Sequence, residues 1–224
     1  MGLKDYNASA SLSSPLRKRP IWFLNLTGLF VVITLFSCES VKKSKSDIEI
    51  EFTQDTLEVG YTYWWEDSGP FIGYCGEEYA LVFVGTISHL AEPTNNAAPL
   101  YISQNGTIAI DRVFKINNPE SNTYANQKFF VSDCFNGLEL AVGDQVLVFC
   151  YSYEGNFSIP GEHSILKIGG IDHPLVASTK AYIDADQNPL KITKDTTLWS
   201  AYGFGDKLAQ HIRCAENAES TIIP

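Results

Sequence analysis

This 224-residue sequence contains five cysteines, whose thiols are its first candidates for covalent or metal-binding chemistry. They are Cys38, Cys75, Cys134, Cys150 and Cys214. A thiol can carry a covalent lipid, pair in a disulfide or bind a metal ion as a thiolate. A four-thiolate metal site usually contains close pairs such as C-x-x-C, and these cysteines are isolated from one another. The spacing therefore argues against such a site and leaves lipidation and disulfide formation.

Residues 1–37 have the features of a targeting peptide. Four basic residues, Lys4 and 17–19, precede an apolar run at 21–36. At about 1.5 Å per residue this run spans about 24 Å, which is short for a membrane-crossing helix. We predict a signal peptide that does not enter the fold. The alternative is an uncleaved signal anchor with Cys38 as an ordinary thiol at its end.

The four residues Leu35, Phe36, Ser37 and Cys38 resemble the lipobox of bacterial lipoproteins, in which a small residue precedes an invariant cysteine. The resemblance implies a diacylglyceryl group on the Cys38 thiol, cleavage before it and acylation of the new amino terminus. Several acyl chains hold a protein firmly, since each buried methylene contributes about 0.8 kcal/mol. We therefore expect a lipid-anchored protein of the cell envelope.

Residues 38–47 are polar and rich in Lys and Ser, which predicts a flexible tether between lipid and domain. Glu39 is not the aspartate linked to inner-membrane retention in lipoproteins, so an outer membrane is expected. Some surface lipoproteins of Bacteroidota carry an acidic run after the cysteine, whereas the run here is basic. This favours a periplasm-facing position over display on the cell surface.

Composition limits the function of the remaining chain. Without residues 1–37 it has 12 basic and 25 acidic residues, a formal charge of −13. Such a domain repels phosphates, so we do not expect nucleic acid as a partner. Its length suits a single domain over 48–224. The four cysteines beyond Cys38 predict two disulfides in an exported protein, with three pairings open.

Short stretches rich in β-branched and aromatic residues predict a mainly β fold. They are 48–53, 79–90, 107–116, 127–132, 145–153 and 163–168, and turn-forming residues separate them. We expect antiparallel pairing and a small closed barrel. Gly85 would permit a bend or bulge, and Ile108, Ile110 and Val113 share a buried face if a bulge lies near Asp111 and Arg112.

The segment 195–214 departs from this pattern and predicts helical structure. Asp195 or Thr196 could cap a short helix that carries Leu198 and Trp199. A second helical turn is expected at 207–212, after a break at the glycines 203 and 205. We expect this short terminal helix to pack across the mouth of the barrel.

The order of these features resembles the netrin module and the tissue inhibitors of metalloproteinases. The matching stretches are Cys75 before 80–87, then 108–115, then Cys134, Leu138, Gly143 and 145–149. The resemblance covers roughly residues 75–214 and implies an OB-type barrel with Cys75 bonded to Cys214 and Cys134 to Cys150. The inhibitory mechanism of that family needs a free amino-terminal cysteine beside the barrel. Here Cys38 is the predicted lipid site, so inhibition by that route is not expected.

No enzyme or metal motif is present. The histidines 89, 163, 173 and 211 are scattered singly, without G-x-S-x-G or H-E-x-x-H, so we predict no enzymatic activity. The series Asp184, Asp186, Asn188 and Asp195 partly resembles a calcium loop, but Pro189 stands where that loop needs glycine. A solvated acidic turn is the favoured interpretation, and we predict no metal or cofactor.

An aromatic stretch at 60–74 is the remaining candidate; its rings are Tyr61, Tyr63, Trp64, Trp65, Phe71 and Tyr74. If exposed, these rings could stack on sugars or dock a protein, but large aromatic side chains more often fill a small core. We name Tyr63, Trp64, Trp65 and Tyr74 as the candidate binding surface. The sequence thus favours a non-enzymatic binding or adaptor module for an envelope protein or glycan. The alternatives are an inhibitor of an exported protease and a hydrolase with an unrecognised site.

Overall fold

The structure is a computed structural model, and it describes residues 43–61, 65, 67–98, 101–117, 124 and 126–222. The chain divides into two compact units, Met1–Val41 and Lys42–Pro224, and the described residues all belong to the second. The predicted signal peptide and Cys38 therefore lie outside the described residues. No helix within the described ranges has the length and apolarity needed to cross a membrane.

Strands dominate the first two thirds of the described chain, and helices follow. The strands are β1 Thr53–Glu58, β2 Gly60–Tyr61, β3 Tyr79–Leu90, β4 Thr94–Ala98, β5 Tyr101–Ser103, β6 Gly106–Ile116, β7 Gln127–Ser132, β8 Gln145–Tyr153, β9 Asn156–Ile159 and β10 Ile165–Ile168. The helices are α1 Pro174–Asp184, α2 Thr196–Ser200 and α3 Gly205–Ile222, with 3-10 helices at Glu162–Ser164 and Pro189–Asp195. The mainly β fold with a C-terminal helix is confirmed.

One sheet contains eight of these strands, in the order β1-β7-β6-β3-β8-β9-β2, with β10 also paired to β8. Strands β4 and β5 form a separate hairpin. The ladders that join β3 to β6 and to β8 are antiparallel, as expected. The pairs β1–β7 and β2–β9 are parallel, so the expectation of antiparallel pairing holds for only part of the sheet.

The predicted closed barrel is wrong. β1 and β2 lie at the two ends of the strand order, and no ladder among the described residues joins them. They are consecutive in the chain and separated only by Val59. A hairpin needs at least two loop residues, so these two strands cannot pair with each other. The two end strands of the sheet therefore belong to one continuous segment of chain, and no strand pairing closes the sheet within the described residues.

Both faces of the central strands are buried, and each supports its own hydrophobic cluster. On β3, Phe83 packs on one face while Val82 and Val84 pack on the other. The first set, the strand cluster, contains residues of strands and loops only, among them Leu57, Phe83, Phe130, Val148 and Ile159. The second set, the helix cluster, joins the other face to the helices through Leu175, Trp199 and Leu208.

The irregularities expected in β3 and β6 are confirmed. The register of the two strands shifts between Val84 and Gly85, where the pairing passes over Asp111. A Cβ on Gly85 would lie 2.4 Å from Cγ2 of Ile108 and 2.5 Å from the Ala109 oxygen, so only glycine fits there. The shift leaves Ile108, Ile110 and Val113 in the strand cluster, as predicted.

The helices differ from expectation in number and position. α2 carries Trp199 as predicted, but α3 is 18 residues long and packs in the helix cluster instead of across a barrel mouth. α1 was not predicted, although its N-cap, His173, accepts a hydrogen bond from the Leu175 amide at Nδ1. The spacing of its buried residues is typical of an amphipathic helix and could have indicated α1 from the sequence. These residues are Leu175, Val176, Ser178, Thr179, Tyr182 and Ile183.

Cys75 and Cys214 form a disulfide, the pair that the netrin resemblance implies, across a sequence separation of 139 residues. Cys134 and Cys150 are free and buried, so the prediction of two disulfides is wrong. Both thiols belong to the strand cluster, and the Ser132 hydroxyl donates to Sγ of Cys134. Burial raises the pKa of Cys134 to about 12, which withholds the thiolate that disulfide formation requires.

The described part of the predicted tether, residues 43–47, lies against the folded domain. Ser46 is buried, and Asp184 accepts hydrogen bonds from the Ser46 amide at 2.8 Å and the Ser44 hydroxyl at 2.7 Å. Asp47 forms an ion pair with Arg112 at 2.7 Å. These residues are docked, in contrast with the flexible tether that their composition predicts.

Candidate functional site

A groove of about 630 Å³ lies between the segment before β3, the end of β8 and helix α3. The residues that line this groove are Trp65, Asp67, Ile72, Gly73, Tyr74, Glu77, Ser152, Lys207 and Gln210. Its volume falls within the range of sites that hold small ligands, about 300–1,000 Å³. It contains residues of the candidate binding surface.

Two of the four candidate residues, Trp65 and Tyr74, meet in this groove. The Trp65 ring packs against Tyr151 with centroids 5.5 Å apart and against Tyr153 at 6.5 Å, while Tyr74 is 79% exposed. Tyr63 and Trp64 lie outside the described residues. Phe71, from the same stretch, is buried in the helix cluster. The stretch therefore serves both purposes: Phe71 fills the core, and Tyr74 faces solvent.

Three bonds hold the loop that carries Tyr74 against α3. The disulfide of Cys75 and Cys214 is the covalent one. Gln210 donates from Nε2 to the Tyr74 oxygen at 3.0 Å, and Nε2 of His211 lies 2.9 Å from the Gly73 oxygen. The backbone of the loop turns at Gly73, whose φ of 75° suits glycine. One wall of the groove is thereby fixed before any ligand arrives.

His211 is a positioning residue in this wall. Since the Gly73 oxygen can only accept, Nε2 carries the proton, and the buried Nδ1 has no partner among the described residues. Burial lowers the pKa of His211, and the nearby Lys207 lowers it further, whereas the bond to Gly73 and the charge of Asp67 oppose this. The imidazole is therefore neutral near pH 7 and acts as a hydrogen-bond donor to the loop.

Two buried tyrosines donate hydrogen bonds to the backbone of the segment that leads into the groove loop. The Tyr79 hydroxyl donates to the Pro70 oxygen at 2.7 Å, and the Tyr151 hydroxyl donates to the Gly69 oxygen at 2.8 Å. Burial raises the pKa of both hydroxyls well above 10. Both remain donors at any physiological pH and fix the chain entering the loop. Sequence inspection placed these tyrosines in strands but gave no signal of this role.

The charges in the groove are unevenly paired. Lys207 donates to Asp67 at 2.5 Å, so the cation that lines the groove is already neutralised. Glu77 contributes a second carboxylate, and Ser152 and Gln210 add neutral polar groups. The groove thus offers aromatic faces, hydrogen-bonding groups and one excess negative charge.

The other candidates from the sequence do not assemble a site. Asp184 accepts from Ser44 and Ser46, Asp186 is paired with Lys45, and the Asn188 side chain caps the 3-10 helix that follows it. Within the described ranges, no group of three or more His, Cys, Asp or Glu side chains could hold a metal ion. The acidic series at 184–195 is therefore used for local structure and for docking residues 44–46.

No protein-family model matches this chain, and no curated protein matches it either. The resemblances to bacterial lipoproteins and to the netrin module thus remain expectations from short motifs. The groove is the feature of the described structure on which a function can be based.

Proposed function

We propose that this protein is a lipid-anchored lipoprotein of the cell envelope that binds a glycan in the groove without chemically changing it. The observation that carries the proposal is the pairing of Trp65 and Tyr74 with polar side chains around one cavity. Sugar rings have an apolar face that stacks on aromatic side chains and hydroxyl groups that need hydrogen-bond partners. The groove supplies both kinds of contact.

The fixed wall supports binding rather than catalysis. A preformed site avoids the entropy cost of ordering a loop when a ligand binds. The disulfide and the two hydrogen bonds from α3 order the loop around Tyr74 in advance. His211 is committed to the oxygen of Gly73, a lining residue of the groove, and this arrangement suits a structural role.

Binding of neutral oligosaccharides to the full chain in detergent tests the proposal, with Trp65→Ala and Tyr74→Ala as the variants. Each lost stacking contact is expected to weaken binding about three- to tenfold, the equivalent of about 0.5–1.5 kcal/mol. Tyr202→Ala is the matched control, because Tyr202 is exposed but does not line the groove. Retention of full affinity in both groove variants would rule the groove out as the binding site.

An envelope protein is the other class of partner that Tyr74 could bind. Site-specific photo-crosslinking from position 74 in cells distinguishes the two classes. Absence of glycan binding together with a single dominant cross-linked protein would replace the glycan proposal by an adaptor function. The lipid anchor is tested separately by fatty-acid labelling, which Cys38→Ser should abolish.

A further inference from the structure

Glu77 lines the groove, and its side chain is exposed to solvent. Its side chain folds back over Gly73, since a Cβ on Gly73 would be 3.0 Å from Cγ and 3.2 Å from Oε1 of Glu77. The absence of a side chain at position 73 therefore makes room for this carboxylate in the groove that Tyr74 also lines. The backbone of Glu77 is held by two hydrogen bonds: its amide donates to the Ile72 oxygen at 3.0 Å, and its oxygen accepts from Nε2 of Gln187 at 3.2 Å.

The neighbouring carboxylates are compensated, and that of Glu77 is not. Asp67 accepts from Lys207, and Glu78 accepts from Lys115 at 2.8 Å and from Asn117 at 3.0 Å. The carboxylate of Glu77 has no hydrogen bond or ion pair within the described part of the chain. The groove therefore carries a fixed negative charge that a ligand can neutralise.

The aromatic rings reinforce this preference for a cation. The face of an aromatic ring attracts a positive group placed within about 6 Å of its centroid. Trp65 and Tyr74 border the same cavity as Glu77. An ammonium group bound there would meet a carboxylate and ring faces together. A carboxylate or phosphate of a ligand would be repelled by Glu77, and Lys207, the cation among the described lining residues, is already paired with Asp67.

We infer that Glu77 is a specificity-determining residue, and that the groove selects glycans containing amino sugars with a free, protonated amine over N-acetylated, neutral or acidic ones. This inference rests on the proposed glycan-binding function. The ligand class is thus a cationic oligosaccharide whose apolar ring face covers the aromatic side chains while its ammonium group pairs with Glu77.

Calorimetric titration of the full chain in detergent tests the inference. The probes are glucosamine oligosaccharides, N-acetylglucosamine oligosaccharides of equal length and an oligosaccharide of uronic acids, at a pH at which the amine is protonated. We expect the free amine to bind about two- to fivefold more tightly than its N-acetylated counterpart, the range for an exposed ion pair. The preference should shrink as salt is added.

Glu77→Gln keeps the shape of the side chain and removes its charge. This variant should bind both amine-bearing and N-acetylated oligosaccharides with the affinity of the N-acetylated form. Glu78→Gln is the matched control: it removes the adjacent carboxylate, which does not line the groove and is paired with Lys115. It should retain the preference for the free amine.

The outcomes separate the inference from the proposed function. Binding of N-acetylated and free-amine oligosaccharides with equal affinity, or a preference that survives in Glu77→Gln, overturns the inference and leaves glycan binding intact. Failure of all three probes and of neutral oligosaccharides to bind overturns both. Tighter binding of the uronic acid oligosaccharide would also contradict the assigned role of Glu77.

Discussion

The two hydrophobic clusters share strands β3 and β8 but are built differently. The strand cluster is closed by residues of strands and loops, and its free thiols, Cys134 and Cys150, remain buried and protonated. The helix cluster is richer in side chains that combine a ring with a polar group, such as Tyr79, Tyr151 and Trp199. Each of these polar groups has a partner; the Trp199 indole, for example, donates to the Ser178 hydroxyl at 2.9 Å.

This difference shows where the molecule is specialised. Aliphatic and Phe side chains bury apolar surface without needing particular bonding partners. The strand cluster therefore stabilises the sheet without positioning other segments. Buried hydroxyl groups must bond to defined acceptors, so the helix cluster also determines where the 69–77 segment lies. The groove is found on the helix side, where polar anchors and a disulfide hold irregular backbone in place.

Removing the disulfide should have the largest effect on stability, and it should affect the two clusters differently. In Cys75→Ser/Cys214→Ser, the lost constraint on the unfolded chain lowers the free energy of unfolding by about 5 kcal/mol in the chain-entropy model. Denaturant unfolding measures this loss. Hydrogen exchange should show α3 and the groove wall opening locally, while β3, β6 and β8 exchange only through global unfolding and remain the most protected part of the domain.

Reductant supplies the control for this prediction. Wild-type protein treated with reductant should reproduce the loss of stability, and the double variant should show no further change. Equal acceleration of exchange in both clusters would mean that they do not differ in the way described here.

Tyr151→Phe should have an intermediate effect, because it deletes one hydroxyl and keeps the ring. The Gly69 oxygen then stays buried without its donor, at a cost of about 1–2 kcal/mol in the free energy of unfolding. Tyr202→Phe is the control: its hydroxyl also bonds, to His173, but is near solvent, so the change should stay within about 0.5 kcal/mol. If both variants lose the same stability, buried polar anchoring is not what distinguishes the helix cluster.

The smallest expected effect is a pH dependence from His211. Its folded-state pKa is lowered by burial, so the unfolded chain binds a proton more readily than the folded one. Its contribution to stability is therefore complete above about pH 6.5, the ordinary pKa of histidine, and decreases as the pH falls below that value. Unfolding measured at a series of pH values should show this decrease in the wild type.

His211→Gln should flatten this dependence, because glutamine can still donate to the Gly73 oxygen but does not titrate. His163→Gln serves as the control, since the His163 side chain is 64% exposed. An unchanged slope in His211→Gln would assign the pH dependence to another group.

The strands of the central sheet could be predicted because their signal is local. The bounds of β3, β7 and β8 agree with the predicted stretches, and the bulge opposite Gly85 follows from a break in alternation. The first predicted strand, 48–53, is wrong because its hydrophobic residues Ile48, Ile50 and Phe52 pack against the strand cluster without pairing. An alternating hydrophobic pattern indicates that every second residue is buried. A segment can bury those residues without pairing to a neighbouring strand.

The groove could be predicted only in part. Trp65 and Tyr74 were identified as exposed-ring candidates because large aromatic residues are dense in that stretch. Lys207, Gln210 and His211 were missed, since their partners lie more than 130 residues away in sequence and no local pattern reports such contacts. The free state of Cys134 and Cys150 was also beyond the sequence, because an even cysteine count does not show which thiols stay unbonded.

If the chain is exported as proposed, the position of the disulfide also sets an order of events during that process. A chain that enters the envelope amino end first, as the proposed signal peptide requires, exposes Cys75 well before Cys214, and both Cys134 and Cys150 arrive in between. Early wrong pairs with Cys75 can be corrected only by thiolate exchange. Once the strand cluster forms, its two thiols are protonated and withdrawn from exchange. Cys214 is then the remaining partner for Cys75. The bond between them, which holds the groove wall against α3, therefore forms after the strand cluster has folded.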